Sequence, residues 1–236
     1  MLKVPLAVEL SAVIVGALSG ATHAAERKAD VVGTFVLALA TGVGGGLLRD
    51  ILIRAGPPVA LSGPYYLPVV AAAALVAVVF AGSVARLTRS LAVVDALLLG
   101  LWTVMGTEQT LAHGLPVTSA VFVGTLTAVG GGVMRDVLTG QTPAILLRGE
   151  LHATAAFAGA VVYALIRSTG LPRWVAELAT VATAASLRLA ARRWHITAPT
   201  PAEISERVRR LHGRRPRGPA PPLAGRTRWR RDDAAP

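Results

Sequence analysis

The sequence predicts an all-α membrane protein of seven transmembrane helices, in which two inverted repeats of three helices are followed by a seventh helix. Hydrophobic residues make up 53% of the 236 residues and charged residues only 16%, and the mean hydropathy is +0.56. This composition is too apolar for an ordinary soluble domain. In addition, seven stretches approach the roughly 20 apolar residues that a helix needs to cross a bilayer. Finally, one motif, Gly-Gly-Gly-x-x-Arg-Asp, occurs twice, at residues 44–50 and 130–136.

The predicted spans are separated by short connections that contain charged residues, glycine or proline. They cover residues 4–22, 31–54, 66–86, 91–110, 116–139, 151–168 and 172–191. The seventh span is the weakest, because it contains Glu177 and Arg188. The first span resembles a cleaved signal peptide, but Glu9 lies inside its apolar region and the segment has a counterpart in the second repeat. We therefore expect the first span to remain as a transmembrane helix.

The two motifs belong to a longer internal repeat with a constant offset of 86 residues. The matched pairs include Glu9 with Asp95, Thr41 with Thr127, Arg49 with Arg135, Asp50 with Asp136, and Pro57 with Pro143. Because each repeat holds three spans, an odd number, the second repeat must enter the membrane from the opposite side. Inverted pairs of this kind place a shared site near the bilayer midplane.

This organisation predicts four segments. Residues 1–90 form the first repeat, 91–170 the second, 171–195 the seventh helix and 196–236 a basic tail. One side of the membrane receives Arg27, Lys28, Arg86, Arg89, Arg148, Arg192, Arg193 and the tail, and the other receives Lys3, Arg54, Arg167 and Arg173. By the positive-inside rule, we expect a plasma-membrane protein with its N-terminus outside and its C-terminus in the cytoplasm.

The charge and the residue pattern of the tail predict contact with lipid. From Pro199 to Pro236 it carries ten Arg and four acidic residues, a net charge of +6. Thr200, Pro201 and Glu203 have the pattern of a helix start, and apolar residues follow on one face. This favours an amphipathic segment on the anionic cytoplasmic leaflet, with disorder after Gly213 and no role in binding nucleic acid.

The triple glycines predict a break or kink in the second and fifth spans, since no side chain holds the turn together. A break would expose backbone carbonyls and amides, which a water-filled path would have to satisfy. Close helix packing is the alternative, because small residues let membrane helices approach each other. The candidate pore or kink residues are Gly44, Gly45, Gly46, Gly130, Gly131 and Gly132.

Ionisable residues inside spans are rare and normally face the interior of the bundle or water. The candidates for pore charges or inter-helix pairs are Glu9, Arg49, Asp50, Asp95, Arg135 and Asp136. Neighbours on a helix point about 100° apart. We therefore expect each motif Arg and Asp to find a partner on another helix, with Glu9 and Asp95 as candidate acceptors. The alternative is that these charges form structural ion pairs near the membrane interfaces.

Catalytic patterns are missing from the sequence. His23, His113 and His152 lie without metal-ligand spacing, and Ser and Thr residues have no His and Asp partner set. There is no cysteine, which excludes thiolate metal sites and disulfides. We expect no enzymatic activity, no cofactor and no bound metal.

Two three-span repeats, each with Gly-Gly-Gly-x-x-Arg-Asp in its middle helix, and a seventh span resemble the bacterial branch of the trimeric intracellular cation (TRIC) channels. The repeated domain of this family is also labelled a glycine transporter domain. The resemblance covers about residues 4–191. It implies a homotrimer with one pore per protomer, a pore between the repeats, kinks at the glycines, and conduction of monovalent cations, chiefly potassium. The phosphoinositide motif of the animal members is not matched here.

The sequence leaves two main functions open. In a potassium-permeable channel, carbonyls and carboxylates would favour a cation, while Arg49 and Arg135 would oppose it unless they are paired. In a secondary transporter of a small zwitterion such as glycine, Arg and Asp would hold the two charged ends. A scaffolding membrane protein is a third reading.

Overall fold

The computed structural model describes residues 6–80, 92–147, 151–197 and 201–211, and the regular secondary structure of these residues is helical. The helices are α1 (Leu6–Glu26), α2 (Val31–Leu52), α3 (Val59–Ser62), α4 (Tyr66–Val79), α5 (Ala92–Ala112), α6 (Val117–Leu138), α7 (His152–Ser168), α8 (Arg173–Arg193) and α9 (Pro201–Leu211), with a 3₁₀ turn at Ala144–Leu146. The predicted all-α class is confirmed. Residues 1–198 form one compact unit, and α9 belongs to a second unit that begins at Pro199.

The 86-residue offset of the sequence repeat recurs helix by helix. Helices α1 and α5 begin and end at equivalent residues, and so do α2 and α6. Helices α4 and α7 begin at the equivalent residues Tyr66 and His152, and the 3₁₀ turn of the second repeat lies close to where α3 lies in the first. The predicted repeat is therefore a repeat of structure as well as of sequence.

The helices pack mainly within each repeat. In the first repeat α1 packs against α2 and α4, in the second α5 packs against α6 and α7, and the α2–α6 contact joins the two repeats. Buried alanines fill most of these contacts, including Ala17 and Ala38 in the first repeat and Ala155 and Ala156 in the second. Such small side chains let helix axes come close together.

Helix α8 packs on α5 and α7 of the second repeat and is held by charges near both of its ends. Near its start, the Arg173 guanidinium pairs with Glu108 of α5 and, at 2.7 Å from Nε to Oε1, with Glu177. Near its end, Arg188 Nε lies 3.6 Å from Asp95 Oδ2 of α5. Two charged residues of the predicted seventh span, Arg173 and Arg188, therefore attach it to α5.

By length and hydropathy alone, α2 and α6 are the helices of the described residues that could cross a bilayer, and α4 is apolar but shorter. The charged residues that α1, α5 and α8 carry lower their hydropathy, so the total of seven spans stays a prediction on this criterion. Residues 4–5, 81–86 and 91 of the predicted spans lie outside the described residues, as do the loop arginines Arg86, Arg89 and Arg148 and the proposed disordered tail after Gly213.

The first two glycines of each triplet form the crossing of α2 and α6. Both helices run without interruption through the triplets, so the helices do not break there, while the predicted kink stays a prediction. A Cβ atom on Gly45 would lie less than 3.0 Å from the Thr127 carbonyl oxygen, and a Cβ atom on Gly131 equally close to that of Thr41. Because both glycines and both threonines are repeat partners, this contact has approximate two-fold symmetry. Close packing, the alternative reading of the glycines, accounts for these positions.

The third glycine of each triplet lies in a different environment. A Cβ atom on Gly132 would meet no atom within 4 Å, and one on Gly46 would first meet Arg49 Nη2 at 3.8 Å and Trp102 at 4.0 Å. Open space therefore adjoins the crossing at Gly132, whereas Gly46 lies within ordinary van der Waals reach of Arg49 and Trp102.

These environments predict opposite effects of one substitution within a single triplet. Gly131→Ala places a methyl group against the Thr41 backbone, and such overpacking destabilises by about 1–3 kcal/mol. Gly132→Ala places the same methyl group in open space, and helix propensity favours alanine by about 1 kcal/mol. In detergent, we expect thermal unfolding of Gly131→Ala at a lower temperature than wild type and no such loss for Gly132→Ala. Equal losses in both variants would contradict the assigned crossing.

Candidate functional site

In the first motif the neighbouring Arg and Asp bind each other. Arg49 Nε donates to Asp50 Oδ1 at 2.8 Å, and the backbone N–H of Val59 donates to Asp50 Oδ2 at 2.9 Å. Both motif side chains are 2% exposed. Asp50 therefore neutralises Arg49 and also ties the end of α2 to the start of α3.

The second motif has the same local construction. Arg135 donates to Asp136 Oδ1 from Nε at 2.9 Å and from Nη2 at 2.7 Å, and the backbone N–H of Ala144 donates to Asp136 Oδ2 at 2.9 Å. Here, however, the Arg135 side chain is 21% exposed. Each repeat therefore has an Arg-Asp clamp, in which the Asp accepts hydrogen bonds from the neighbouring Arg and from a loop backbone N–H. The Arg of the clamp is buried in the first repeat and more exposed in the second.

The expectation that each motif Arg and Asp pairs with another helix is wrong. The 100° spacing fixes only the Cα–Cβ directions of neighbours, whereas the long Arg side chain can fold back to the carboxylate beside it. The chain also turns sharply after each helix, through positive φ angles of 54° at Arg54 and 68° at its repeat partner Gly140. This turn brings a loop backbone N–H to the second carboxylate oxygen.

The other two predicted acids lie in the same region but have other neighbours. Glu9 lies in a pocket wall beside Arg49 and Asp50. Asp95 is close to Arg188 of α8 rather than to a motif arginine. Arg188 was not among the site residues predicted from the sequence. The available signal was a basic residue inside a predicted span, which ordinarily needs a partner within the bundle.

A cavity of about 420 Å³ opens beside the glycine crossing. Its wall includes two charged pairs, Arg135 with Asp136 of the second repeat and Arg188 of α8 with Asp95 of α5, together with His152. The six glycines at its inner end and wall are Gly16, Gly42, Gly45, Gly46, Gly131 and Gly132. The cavity therefore reaches from the charged end of α6 to the contact between the repeats.

A much smaller pocket, about 10 Å³, lies at the first motif. It is close to the smallest volume that holds one water molecule. Its wall contains Glu9, Arg49, Asp50, Tyr66 and Trp102. Nη1 of Arg49 is buried there and has no hydrogen-bond partner among the described residues.

The two spaces are related by the repeat. Nine of the ten residues around the small pocket have their partner at an offset of 86 residues in the wall of the large cavity. The pairs are Glu9 with Asp95, Val13 with Leu99, Val43 with Val129, Gly46 with Gly132, Arg49 with Arg135, Asp50 with Asp136, Val59 with Ile145, Tyr66 with His152, and Trp102 with Gly16. Gly46 and Trp102 lie in both walls. The large cavity and the small pocket thus occupy equivalent places in the two repeats, and they adjoin at Gly46 and Trp102. They are called the two halves below.

The charges of the two walls almost cancel. The walls contain four carboxylates, Glu9, Asp50, Asp95 and Asp136, and three guanidinium groups, Arg49, Arg135 and Arg188. With neutral histidines, the difference of four and three leaves a net charge of −1. Among the described residues, no three His, Asp or Glu side chains are grouped as metal ligands would be.

A known protein family matches this chain once in each repeat. The family model described as "Glycine transporter" matches residues 6–82 and 92–168, one match in each repeat. The inner membrane protein YadS of Escherichia coli K12 is 34% identical over 186 residues, which is 78% of this chain and 89% of YadS. A membrane protein of Deinococcus radiodurans is 37% identical over 153 residues, 64% of this chain and 71% of that protein.

Solved structures of channels share the fold. A TRIC cation channel structure that addresses conductance superposes with a TM-score of 0.78 and 31% identity, covering 84% of this chain and 97% of that one. The TRIC orthologue of Rhodobacter sphaeroides superposes with a TM-score of 0.74 and 32% identity, covering 81% and 98%.

The unequal burial of the two motifs predicts unequal effects of one substitution. Asp50→Asn leaves the guanidinium of Arg49 buried without its counter-charge, and breaking a buried ion pair in this way costs about 3–5 kcal/mol. Asp136→Asn leaves Arg135 without its counter-charge beside a cavity that admits water. The loss of stability should therefore be smaller than for Asp50→Asn. Thermal unfolding of both variants in detergent checks this, and an equal or larger loss for Asp136→Asn would contradict the difference in burial.

Proposed function

The chain belongs to the family of bacterial TRIC channels, whose repeated domain is described as a glycine transporter domain, and from this premise we propose that it is a cation channel permeable to potassium. The permeation path runs between the two repeats. The observation that carries the proposal is that the large cavity and the small pocket are equivalent halves on either side of the glycine crossing. An ion that passes between the repeats would meet the nine matched wall positions twice, in opposite order.

Pairing within the path supports a cation as the permeant ion. Arg49 and Arg135 would repel a cation, but each is neutralised by the Asp beside it. Asp95 and Arg188 offset each other at 3.6 Å. This leaves Glu9 as the excess charge, and a single carboxylate beside a narrow path favours cations over anions.

The proposal includes membrane placement and assembly. The named relatives are described as membrane proteins, YadS as an inner membrane protein, and the solved relatives as channels, which supports a multi-pass protein of the plasma membrane without enzymatic activity. The Rhodobacter sphaeroides orthologue is described as trimeric, which supports a homotrimer. The basic residues Arg27, Lys28, Arg192 and Arg193 support a cytoplasmic C-terminus. In this orientation the large cavity faces the cytoplasm.

Helix α9 adds a lipid contact to the proposal. Its Ile204 and Val208 lie one helical turn apart and are 49% and 48% exposed. Arginines surround this apolar pair along the helix. An apolar stripe flanked by basic residues suits the surface of an anionic leaflet.

The geometry also favours a second candidate, transport of a small zwitterion such as glycine. Asp95 and Arg188 both face the large cavity, and their separation of 3.6 Å is longer than a hydrogen bond. Such a pair could bind the ammonium and carboxylate ends of one amino acid. The cation channel remains the first proposal, because it also accounts for the equivalence of the two halves.

Current measurements on the full-length protein in planar bilayers test the proposal. In a potassium chloride gradient, we expect current steps that reverse near the potassium equilibrium potential. Glu9→Gln reduces the net charge of the path from −1 to zero, so its reversal potential should move toward zero as cation preference falls. The matched control is Glu26→Gln, because Glu26 is exposed at the end of the same helix and belongs to neither wall.

Two outcomes would count against the channel. Liposomes that hold the folded protein but release no potassium at any voltage or pH tried would exclude potassium permeation. Counterflow of labelled glycine that Arg188→Ala abolishes would instead establish the zwitterion transporter.

A further inference from the structure

The two halves of the proposed path differ chiefly in how far they are open. The half at the second motif has a volume of about 420 Å³, and the half at the first motif about 10 Å³. Nevertheless, nine of ten wall positions correspond, and the motif clamps have the same hydrogen bonds. Side-chain size at the matched positions is one source of this difference.

One matched position shows a large change of size. Trp102 of α5, the largest type of side chain, lies in the wall of the closed half, and its repeat partner Gly16 of α1 lies in the wall of the open half. The other changes are small by comparison, such as Tyr66 against His152 or Glu9 against Asp95. Trp102 also lies in the wall of the open half, so it stands where the two halves adjoin.

The surroundings of Trp102 explain how it closes one half. It is half-buried and packs against the apolar core of the first repeat, which includes Val13, Val43 and Tyr66. Its ring lies about 4.0 Å from where a Cβ atom on Gly46 would be, at the edge of the crossing. The indole thus fills the space between α5 and the first repeat that the large cavity would otherwise enter.

The equivalent closure cannot form in the other half. Gly16 packs directly on α2, where a Cβ atom would lie 3.0 Å from Gly42 Cα. Even a methyl group is tight at this position. The repeat that builds two equivalent halves therefore supplies a closing side chain to one of them.

We propose that Trp102 is the gate of the path, and that it closes the half at the first motif while the half at the second motif stays open. This inference rests on the proposed path. It deepens that proposal by assigning a fixed gate on one side, the arrangement of a channel, in contrast to alternating access, in which the two sides close in turn. A gate of this kind excludes water by an apolar constriction.

Cysteine labelling tests the gate without relying on any ion current. The chain has no cysteine, so one introduced thiol reports one position. Val43→Cys places the thiol in the closed half, and the repeat partner Val129→Cys places it in the open half. Each is combined with Trp102 or with Trp102→Gly, which introduces the residue found at the repeat partner. A charged, membrane-impermeant thiosulfonate is applied to right-side-out and inside-out vesicles.

With Trp102 present, we expect Val129→Cys to be labelled from one face and Val43→Cys to be labelled more slowly. With Trp102→Gly, Val43→Cys should react at a rate close to that of Val129→Cys and from the same face. Trp102→Leu, which keeps an apolar side chain of smaller size, should give an intermediate rate and serves if the glycine variant does not fold.

Two results would overturn the gate. One is rapid labelling of Val43→Cys with Trp102 in place, and the other is continued protection in a folded Trp102→Gly or Trp102→Leu variant. Potassium current in the same variants separates this inference from the proposed function. If replacing Trp102 makes Val43→Cys accessible to the label but no variant carries potassium, the gate is supported and the potassium channel is excluded.

Discussion

The contact between the backbones of α2 and α6 is the constraint on which the rest of this structure depends. At Gly45 and Gly131 each helix lies directly against a threonine carbonyl of the other. A single Cα–H···O contact contributes only about 0.5–1 kcal/mol. Its greater effect is geometric, because a side chain at either position would separate the two repeats. The crossing thus sets the spacing of both halves of the proposed path, and Gly132 leaves open space beside it.

The Arg-Asp clamps are a second constraint, which acts at the ends of the same two helices. Each Asp accepts hydrogen bonds from its neighbouring Arg and from a loop backbone, so it fixes the helix end, the turn and the next element together. The charges that the motif brings into the membrane are therefore neutralised within the motif. This explains how Arg49 and Arg135 can border the proposed cation path without placing a net positive charge on it.

Much of the fold could be predicted from the sequence, because the repeat and the apolar spans are properties of residue order. The equivalent bounds of α1 with α5 and of α2 with α6 follow directly from the 86-residue offset. The packing of individual residues could not be predicted in this way. Three adjacent glycines look alike in a sequence, yet Gly131 packs on a backbone and Gly132 does not. The partners of Arg49 and Arg188 depended on side-chain flexibility and on the placement of α8, neither of which periodicity determines.

A repeat is recognised by the positions at which its two copies agree, whereas the asymmetry of the proposed path comes from positions at which they differ. At positions 16 and 102 the two halves have a glycine and a tryptophan. Beyond Trp102 lies a buried ion pair, with one nitrogen of Arg49 lacking a hydrogen-bond partner among the described residues. Burial of an ion pair carries a desolvation penalty, so entry of water would stabilise these groups rather than disturb them. In the proposed gate, the packing of apolar side chains against Trp102 holds the closed half shut, and the charges behind it favour hydration once that packing yields.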